Sequence, residues 1–193
     1  MSPRFEALAE LESTVWQQLS LATRDKTHAW RTPVLATIKG DMADARTVVL
    51  RGVDPSRRAL TIYTDQRAGK VTQLLHKPRG TLVMWSPQLG WQLRCRVRLA
   101  LEVSGLGVDS TWARLRLTPA AQDYLSPLAP GAPLAGQDVG GDSVADAELP
   151  ARTAHSHFAV IDASVEAVDW LELNAEGHRR ALFDEHGARW IQP

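Results

Sequence analysis

The chain has 193 residues, 44% of them hydrophobic, with 22 Lys/Arg balanced by 22 Asp/Glu and a single cysteine, Cys95. One core of this size needs no metal or disulfide staple, and one cysteine excludes an intrachain disulfide. The neutral total argues against a nucleic-acid partner, yet residues 31–104 hold 13 Lys/Arg against 5 Asp/Glu, a basic segment that suits a small anionic ligand.

Residues 4 to about 22 read as an amphipathic helix, with Phe5, Leu8, Leu11, Val15 and Leu19 recurring at spacings of three and four. After Pro33 the period changes. Thr32 to Lys39, Arg46 to Arg51 and Ala59 to Thr64 read as three strands of an antiparallel meander with short polar connections. A short helix spans Ala68 to His76 and is stopped by Lys77-Pro78. Strands return at Gly80–Trp85 and from Gly90 to Ser104, the second long enough to bend around a barrel. That strand sets Gln92, Arg94, Arg96 and Arg98 on one face and Leu93, Cys95, Val97 and Leu99 on the other. Thr111–Leu117 and Pro119–Leu125 read as short helices, and residues 126–152, rich in Pro, Gly, Ala and Asp, as an extended loop. Strands follow at His157–Ala163, Ala167–Leu173, Arg180–Phe183 and Arg189–Ile191. The pattern is a mainly β chain of five to seven strands, a barrel with α additions, forming one domain over 1–193. No apolar run is long enough to span a bilayer, and the start lacks the apolar core of a signal peptide. The expectation is a cytoplasmic protein without a membrane partner.

Several segments carry candidate chemistry. On a single strand Arg46 and Arg51 fall on opposite faces, about 16 Å apart at roughly 3.3 Å per residue. The apolar edge between them suits a long flat ligand with an anion at one end; solvated arginines flanking an edge strand give the same pattern. In Ile62 to Lys70, a strand ending in Tyr63-Thr64 leads into a helix whose first turn holds Lys70. A lysine there is unfavourable against the helix dipole unless both face one phosphate. Gln92 can donate to and accept from a heterocycle edge. Trp170 reads as core or as a ring cover, and His178-Arg179-Arg180 as a cationic turn. His155 and His157 lack a third ligand, so no metal site is expected. Cys95 reads as inert core. There is no G-x-G-x-x-G, Walker loop or G-x-S-x-G.

In order, Pro33-Val-Leu-Ala-Thr-Ile, Arg46-Thr-Val-Val-Leu-Arg-Gly52, Ile62-Tyr-Thr-Asp65, Lys70, Pro78 with Leu82-Val-Met-Trp85, Gln92-Leu-Arg94, Trp170 and His178-Arg-Arg180 resemble the pyridoxamine 5'-phosphate oxidase family, in particular its FMN-binding relatives of uncertain substrate. The resemblance implies an antiparallel, Greek-key-like split β-barrel with peripheral helices, a homodimer with FMN at the subunit interface, and a small-molecule substrate. It assigns Arg46 and Lys70 to the phosphate, with Thr64 beside them. Thr47, Val48 and Val49 line the isoalloxazine in the same pocket as Tyr63. Arg51 stands where the family has a lysine near ring and substrate. Gln92 bonds the flavin, and Trp170 and Arg180 reach it from the partner subunit.

The chain departs from the family in two places. The Ser-Arg-Lys phosphate signature is here Ala68-Gly69-Lys70, with Arg67 as the nearby replacement for the lost guanidinium. The substrate-phosphate residues have no match in Arg116 to Tyr124, and Glu176 stands where the family has a substrate arginine. The expectation is therefore an FMN-dependent oxidoreductase. The alternatives are a flavin-binding or carrier module without turnover, and the true pyridoxamine or pyridoxine 5'-phosphate oxidase. An oligonucleotide-binding barrel using Arg94, Arg96 and Arg98 lacks the interleaved aromatics it needs.

Overall fold

Leu11, Val15, Trp16, Leu19 and Ala22 form the buried face of α1 (Leu8–Arg24) in the computed structural model of the chain, which describes residues 5–134 and 157–193. The strands that follow are β1 (Val34–Lys39), β2 (Met42–Thr47), β3 (Leu50–Asp54) and β4 (Ala59–Asp65). Then come α2 (Gly69–His76), β5 (Arg79–Ser86), β6 (Trp91–Glu102), α3 (Leu106–Leu115) and a 3-10 turn at Pro119–Tyr124. The described chain closes with β7 (Phe158–Glu172), β8 (Arg179–Asp184) and β9 (Gly187–Ile191).

The strands run β2-β1-β5-β6-β7-β4-β3, every neighbour antiparallel, with β8 and β9 continuing from β7. Seven strands laid flat would set the outer two about 29 Å apart at roughly 4.8 Å per spacing. Yet β2 and β3, the two ends of the order, are joined by Val48 and Val49 alone. Three peptide units reach about 11 Å at most, so the sheet must curl until its ends meet. That is the barrel.

The same corner corrects the expected meander. Arg46 and Arg51 do not share a strand: β2 pairs with β1, β3 pairs with β4, and the chain turns between them, with Val48 N–H bonded to Pro33 O at 2.9 Å. Separation along one strand therefore does not describe the two arginines. The two strands expected at 157–163 and 167–173 are one strand, β7, carried past a bulge where Val97 faces Val165 and Arg96 faces Ala167. The helix expected at 111–117 begins earlier, at Leu106, and the described strands number nine. Of the expected loop 126–152, residues 135–152 lie outside the described residues, as does His155.

The core is aromatic where α1 closes the barrel. Trp91 is the hub, 5.3 Å from Trp170, 6.3 Å from Trp30 and 5.9 Å from Phe5, centroid to centroid. Its indole N–H donates to buried Glu172 at 3.2 Å, and Arg179 bonds the other carboxylate oxygen at 2.9 Å. A buried carboxylate is tolerated because it is both paired and hydrogen-bonded. A smaller cluster of Val108, Tyr124, Phe158 and Val160 fixes α3 and the 3-10 turn to the barrel.

Candidate functional site

Lys70 lies in the first turn of α2, whose N-cap, Ala68, offers no side-chain cap and whose first turn holds no acidic residue. The lysine ammonium donates to the Thr64 hydroxyl at 3.1 Å. Burial holds the Lys70 pKa below its ordinary value, the neighbouring Arg46 guanidinium lowers it further, and Asp65 opposes both. Two cations, a hydroxyl and uncapped helix N–H groups thus converge at one end of α2. Such a donor set fits a phosphate, which would relieve the mutual repulsion and cap the helix together.

Arg46 reaches this cluster from β2, but its fork is already engaged. One terminal nitrogen bonds Thr37 Oγ1 and Leu35 O, the second at 3.4 Å. The other bonds Gln73 Oε1 at 2.9 Å and pairs with Asp44 at 2.5 Å. Gln73, buried on α2, also accepts from Thr37 at 2.5 Å and donates to Asp44 at 2.6 Å. With its four terminal N–H groups matched by four acceptors, Arg46 keeps only Nε–H for a ligand. Its contribution to a bound anion is mainly charge. Thr37, Asp44 and Gln73 were not singled out from the sequence. The available signal was Gln73 on the apolar side of α2, between Val71 and Leu74.

Arg67 does not replace the missing guanidinium of the phosphate signature. It makes a two-pronged pair with Asp65 at 2.7 and 3.1 Å and bonds the carbonyls of Ser126 and Pro127 at 2.9 and 3.2 Å. It ties the start of the long loop to the end of β4.

Arg51, on β3, stacks its guanidinium over Tyr63 at 5.5 Å and keeps a buried Nε–H without an acceptor. Tyr124 lies against the same guanidinium; burial raises its pKa despite that positive neighbour. Tyr63, Phe158, Trp112 and Tyr124 form a continuous aromatic wall beside Arg51. Thr47 and Val49 lie at the barrel corner, where Thr47 is exposed and Val48 buried.

Gln92 and Arg180 lie on the outer face of the sheet, the face that also carries Tyr63, but at its far end, in one cross-strand row with Trp85 and Leu171. Arg180 is held by Asp169 through two bonds, at 2.9 and 2.7 Å, and Arg94 bonds the same carboxylate. Trp170 does not join this row. It points inward and is 0% exposed, packed against Trp91 and Trp190, the latter at 6.2 Å. A side chain with no exposed surface cannot touch a ligand held by another subunit. The expectation for Trp170 is therefore corrected to core, and Leu171 occupies the open face instead. Among the described residues no hydrogen bond or ring contact links the Gln92–Arg180 row to the Lys70 cluster. No group of three or more metal-ligating side chains occurs among the described residues.

Residues 13–102, a little under half of the chain, match the family model described as pyridoxamine 5'-phosphate oxidase, FMN-binding domain. The matched segment contains Arg46, Arg51, Tyr63, Thr64, Lys70 and Gln92. The fold is similar to that of a pyridoxamine 5'-phosphate oxidase-related, FMN binding protein from Nostoc punctiforme PCC 73102, with 22% identity and a TM-score of 0.67 over 97% of this chain and 100% of that one. It is also similar to PhzG from Burkholderia lata 383, solved in complex with tetrahydrophenazine-1-carboxylic acid, with 14% identity and a TM-score of 0.71 over 100% and 99% of the two chains. A heme binding protein from Mycobacterium smegmatis shares 16% identity at a TM-score of 0.51, over 92% of this chain and 59% of that one. No curated protein matches the chain. The expected split-barrel fold is borne out, and the matched domain is an FMN-binding one.

Proposed function

We propose that this chain, whose residues 13–102 match the FMN-binding domain of the pyridoxamine 5'-phosphate oxidase family, binds FMN and acts as a flavin-dependent oxidoreductase on a small molecule. The observation that carries the reading is the convergence of Lys70, Thr64 and Arg46 at the uncapped start of α2. Lys70, the Thr64 hydroxyl and the α2 N–H groups hold the phosphate. Arg46, fixed by Thr37, Asp44 and Gln73, adds charge at a set position. Bound FMN supplies the two-electron chemistry at its ring.

The chain's remaining task is to seat the ring and the substrate. Thr47, Val48, Val49 and Tyr63 form the ring side of the pocket, and Arg51 stands beside them with a free Nε–H. Gln92 and Arg180 lie on the same sheet face as Tyr63 but at its far end: Tyr63 stands beside Val160 and Glu102, ten residues along β6 from Gln92, about 33 Å at roughly 3.3 Å per residue. Both groups meet one flavin only if a second copy of the chain supplies one of them, which is the reason to propose a homodimer. The described residues hold no helix long and apolar enough to cross a membrane.

Gel filtration after incubation with FMN, read by absorbance and light scattering, tests this. Flavin co-eluting with a dimer, and lost in a Lys70→Ala/Thr64→Ala variant that keeps its circular dichroism, supports the assignment. Folded wild-type protein that retains no flavin removes it. The alternative reading is a flavin carrier without turnover. Anaerobic reduction of the bound flavin by pyridoxamine phosphate or other small donors separates enzyme from carrier.

A further inference from the structure

The turn between β4 and α2 carries a carboxylate beside the phosphate cluster. Asp65 ends β4 and is 5% exposed. Its Oδ1 accepts from the Arg67 N–H at 2.7 Å, and its carbonyl accepts from the Ala68 N–H at 3.1 Å. Those two bonds shape the turn that delivers Lys70 to the site. The same carboxylate attracts the Lys70 ammonium, which donates to the adjoining Thr64 hydroxyl. A buried carboxylate without a partner is costly, so an unpaired Asp65 would take the nearest ammonium. An incoming phosphate would then have to displace it.

Arg67 removes that competition. Its guanidinium grips both carboxylate oxygens, Nε to Oδ1 at 3.1 Å and Nη2 to Oδ2 at 2.7 Å. Such a fork is the strongest geometry open to an arginine and a carboxylate. From its other side the fork donates to Ser126 O at 2.9 Å and Pro127 O at 3.2 Å. Residues nearby are pinned to the same turn: Gln66 N–H bonds His157 O at 2.8 Å, and His157 N–H bonds Tyr124 O at 3.0 Å. Arg67 cannot swing toward a ligand at Lys70 without breaking these bonds.

We propose that Arg67 is a positioning residue of the anion site: it pairs with Asp65 in place of Lys70 and so leaves the ammonium for the phosphate. That the anion is the FMN phosphate rests on the flavin reading. The division of charge among Asp65, Arg67 and Lys70 belongs to the ligand-free chain. The charges that bear on Lys70 are Arg46 from β2 and Asp65 from the end of β4, and Arg67 acts through Asp65.

Two measurements on the full chain test it. The first is an NMR titration of the ligand-free protein with isotope-labelled lysine, the Lys70 signal being assigned by its loss in Lys70→Arg. Arg67→Ala should shift the Lys70 midpoint upward, because the freed carboxylate favours the ammonium. Adding Asp65→Asn, which keeps the Oδ1 acceptor of the turn, should bring the midpoint back to wild type or below. Arg67→Lys keeps a cation on Asp65 and should leave it in place. The second is FMN binding by fluorescence quenching. Arg67→Ala should bind about tenfold more weakly, the scale of one charge-assisted bond, with most of the loss recovered in the Arg67→Ala/Asp65→Asn protein. A mere tether for residues 126–128 gives another pattern: FMN binding falls while the Lys70 midpoint stays, and Asp65→Asn restores nothing. Either of those results overturns the proposal, as does an unmoved midpoint with unchanged FMN affinity. If Arg67→Ala loses its circular dichroism, Arg67→Gln takes its place in the same comparisons. Wild-type protein that binds no FMN while the Lys70 midpoint moves as stated would remove the flavin reading and leave the role of Arg67 standing.

Discussion

Gln73 Oε1 accepts a hydrogen bond from Arg46 at 2.9 Å while the amide of the same side chain donates to Asp44, the carboxylate that pairs with Arg46. The arginine is thus locked between an acceptor that orients it and an anion that competes with any phosphate for its charge. Gln73 bonds also lower the Asp44 pKa, so the competing charge persists to low pH.

Replacing Asp44 with Asn keeps an acceptor for Gln73 and removes that charge. FMN affinity should rise by roughly three- to tenfold, because a fixed negative charge near the phosphate is lost and its effect is screened only in part at this range. Fluorescence titration of FMN quenching measures it. Weaker binding in Asp44→Asn would mean that the ion pair is needed to hold Arg46 in place.

Lys70 gives the site a pH dependence with a definite sign. Its pKa in the folded, ligand-free protein lies below 10.5, through burial first and Arg46 second. Between that lowered value and the ordinary one the unfolded chain binds more protons, so apoprotein stability rises with pH across the window. A bound phosphate favours the ammonium and takes the proton back. FMN affinity should be level below the lowered pKa and fall above it, by up to about tenfold per pH unit. Lys70→Arg stays charged throughout and should flatten the decline in titrations from pH 7.5 to 10.5. An identical decline in both proteins would sink this account.

A lysine in an uncapped first turn is a local anomaly legible without tertiary information, and it singles out Lys70 with Thr64 beside it. Arg46 joins them only through the resemblance; its charge acts on Lys70 in the folded chain. Two other features were hidden for physical reasons. The corner at Val48–Val49 contains no glycine, proline or polar residue, since its turn comes from barrel closure rather than local turn chemistry. The continuity of β7 was hidden by its bulge, while the placing of Trp170 against a flavin came from the resemblance and not from the strand pattern. Ala163 and Val165 point inward, and one extra residue at Glu166 shifts the alternation so that Val168, Trp170 and Glu172 point inward after it. Counting by twos through an unseen bulge assigns every later side chain to the wrong face.

Cys95 pairs with Leu82 on one side and Val168 on the other, and burial pushes its thiol up to about 12. Only the thiolate reacts. Folded protein at pH 8 should therefore show no fast labelling by a thiol-specific disulfide reagent. Labelling should appear along the same urea curve as the loss of tryptophan fluorescence, so that it reports global unfolding. Rapid labelling without denaturant would show that the β5-β6-β7 core opens locally.

The clearest separation of core from site is at Trp170. Its indole fills the space between Trp91 and Trp190, and its N–H has no acceptor. Trp170→Ala should cost about 3–5 kcal/mol by cavity formation. Trp170→Phe, which keeps a ring and removes an unpaired donor, should cost much less, since overlapping volume is what the site requires. Neither change should alter FMN affinity in the protein that remains folded, because the side chain reaches no surface. Urea unfolding and FMN titration on the same samples distinguish the two roles. If Trp170→Phe kept its midpoint but lost FMN, the residue would act on the cofactor through Leu171 and Arg180 of the adjoining face. Equal FMN affinity with a shifted midpoint is the outcome expected of a core residue.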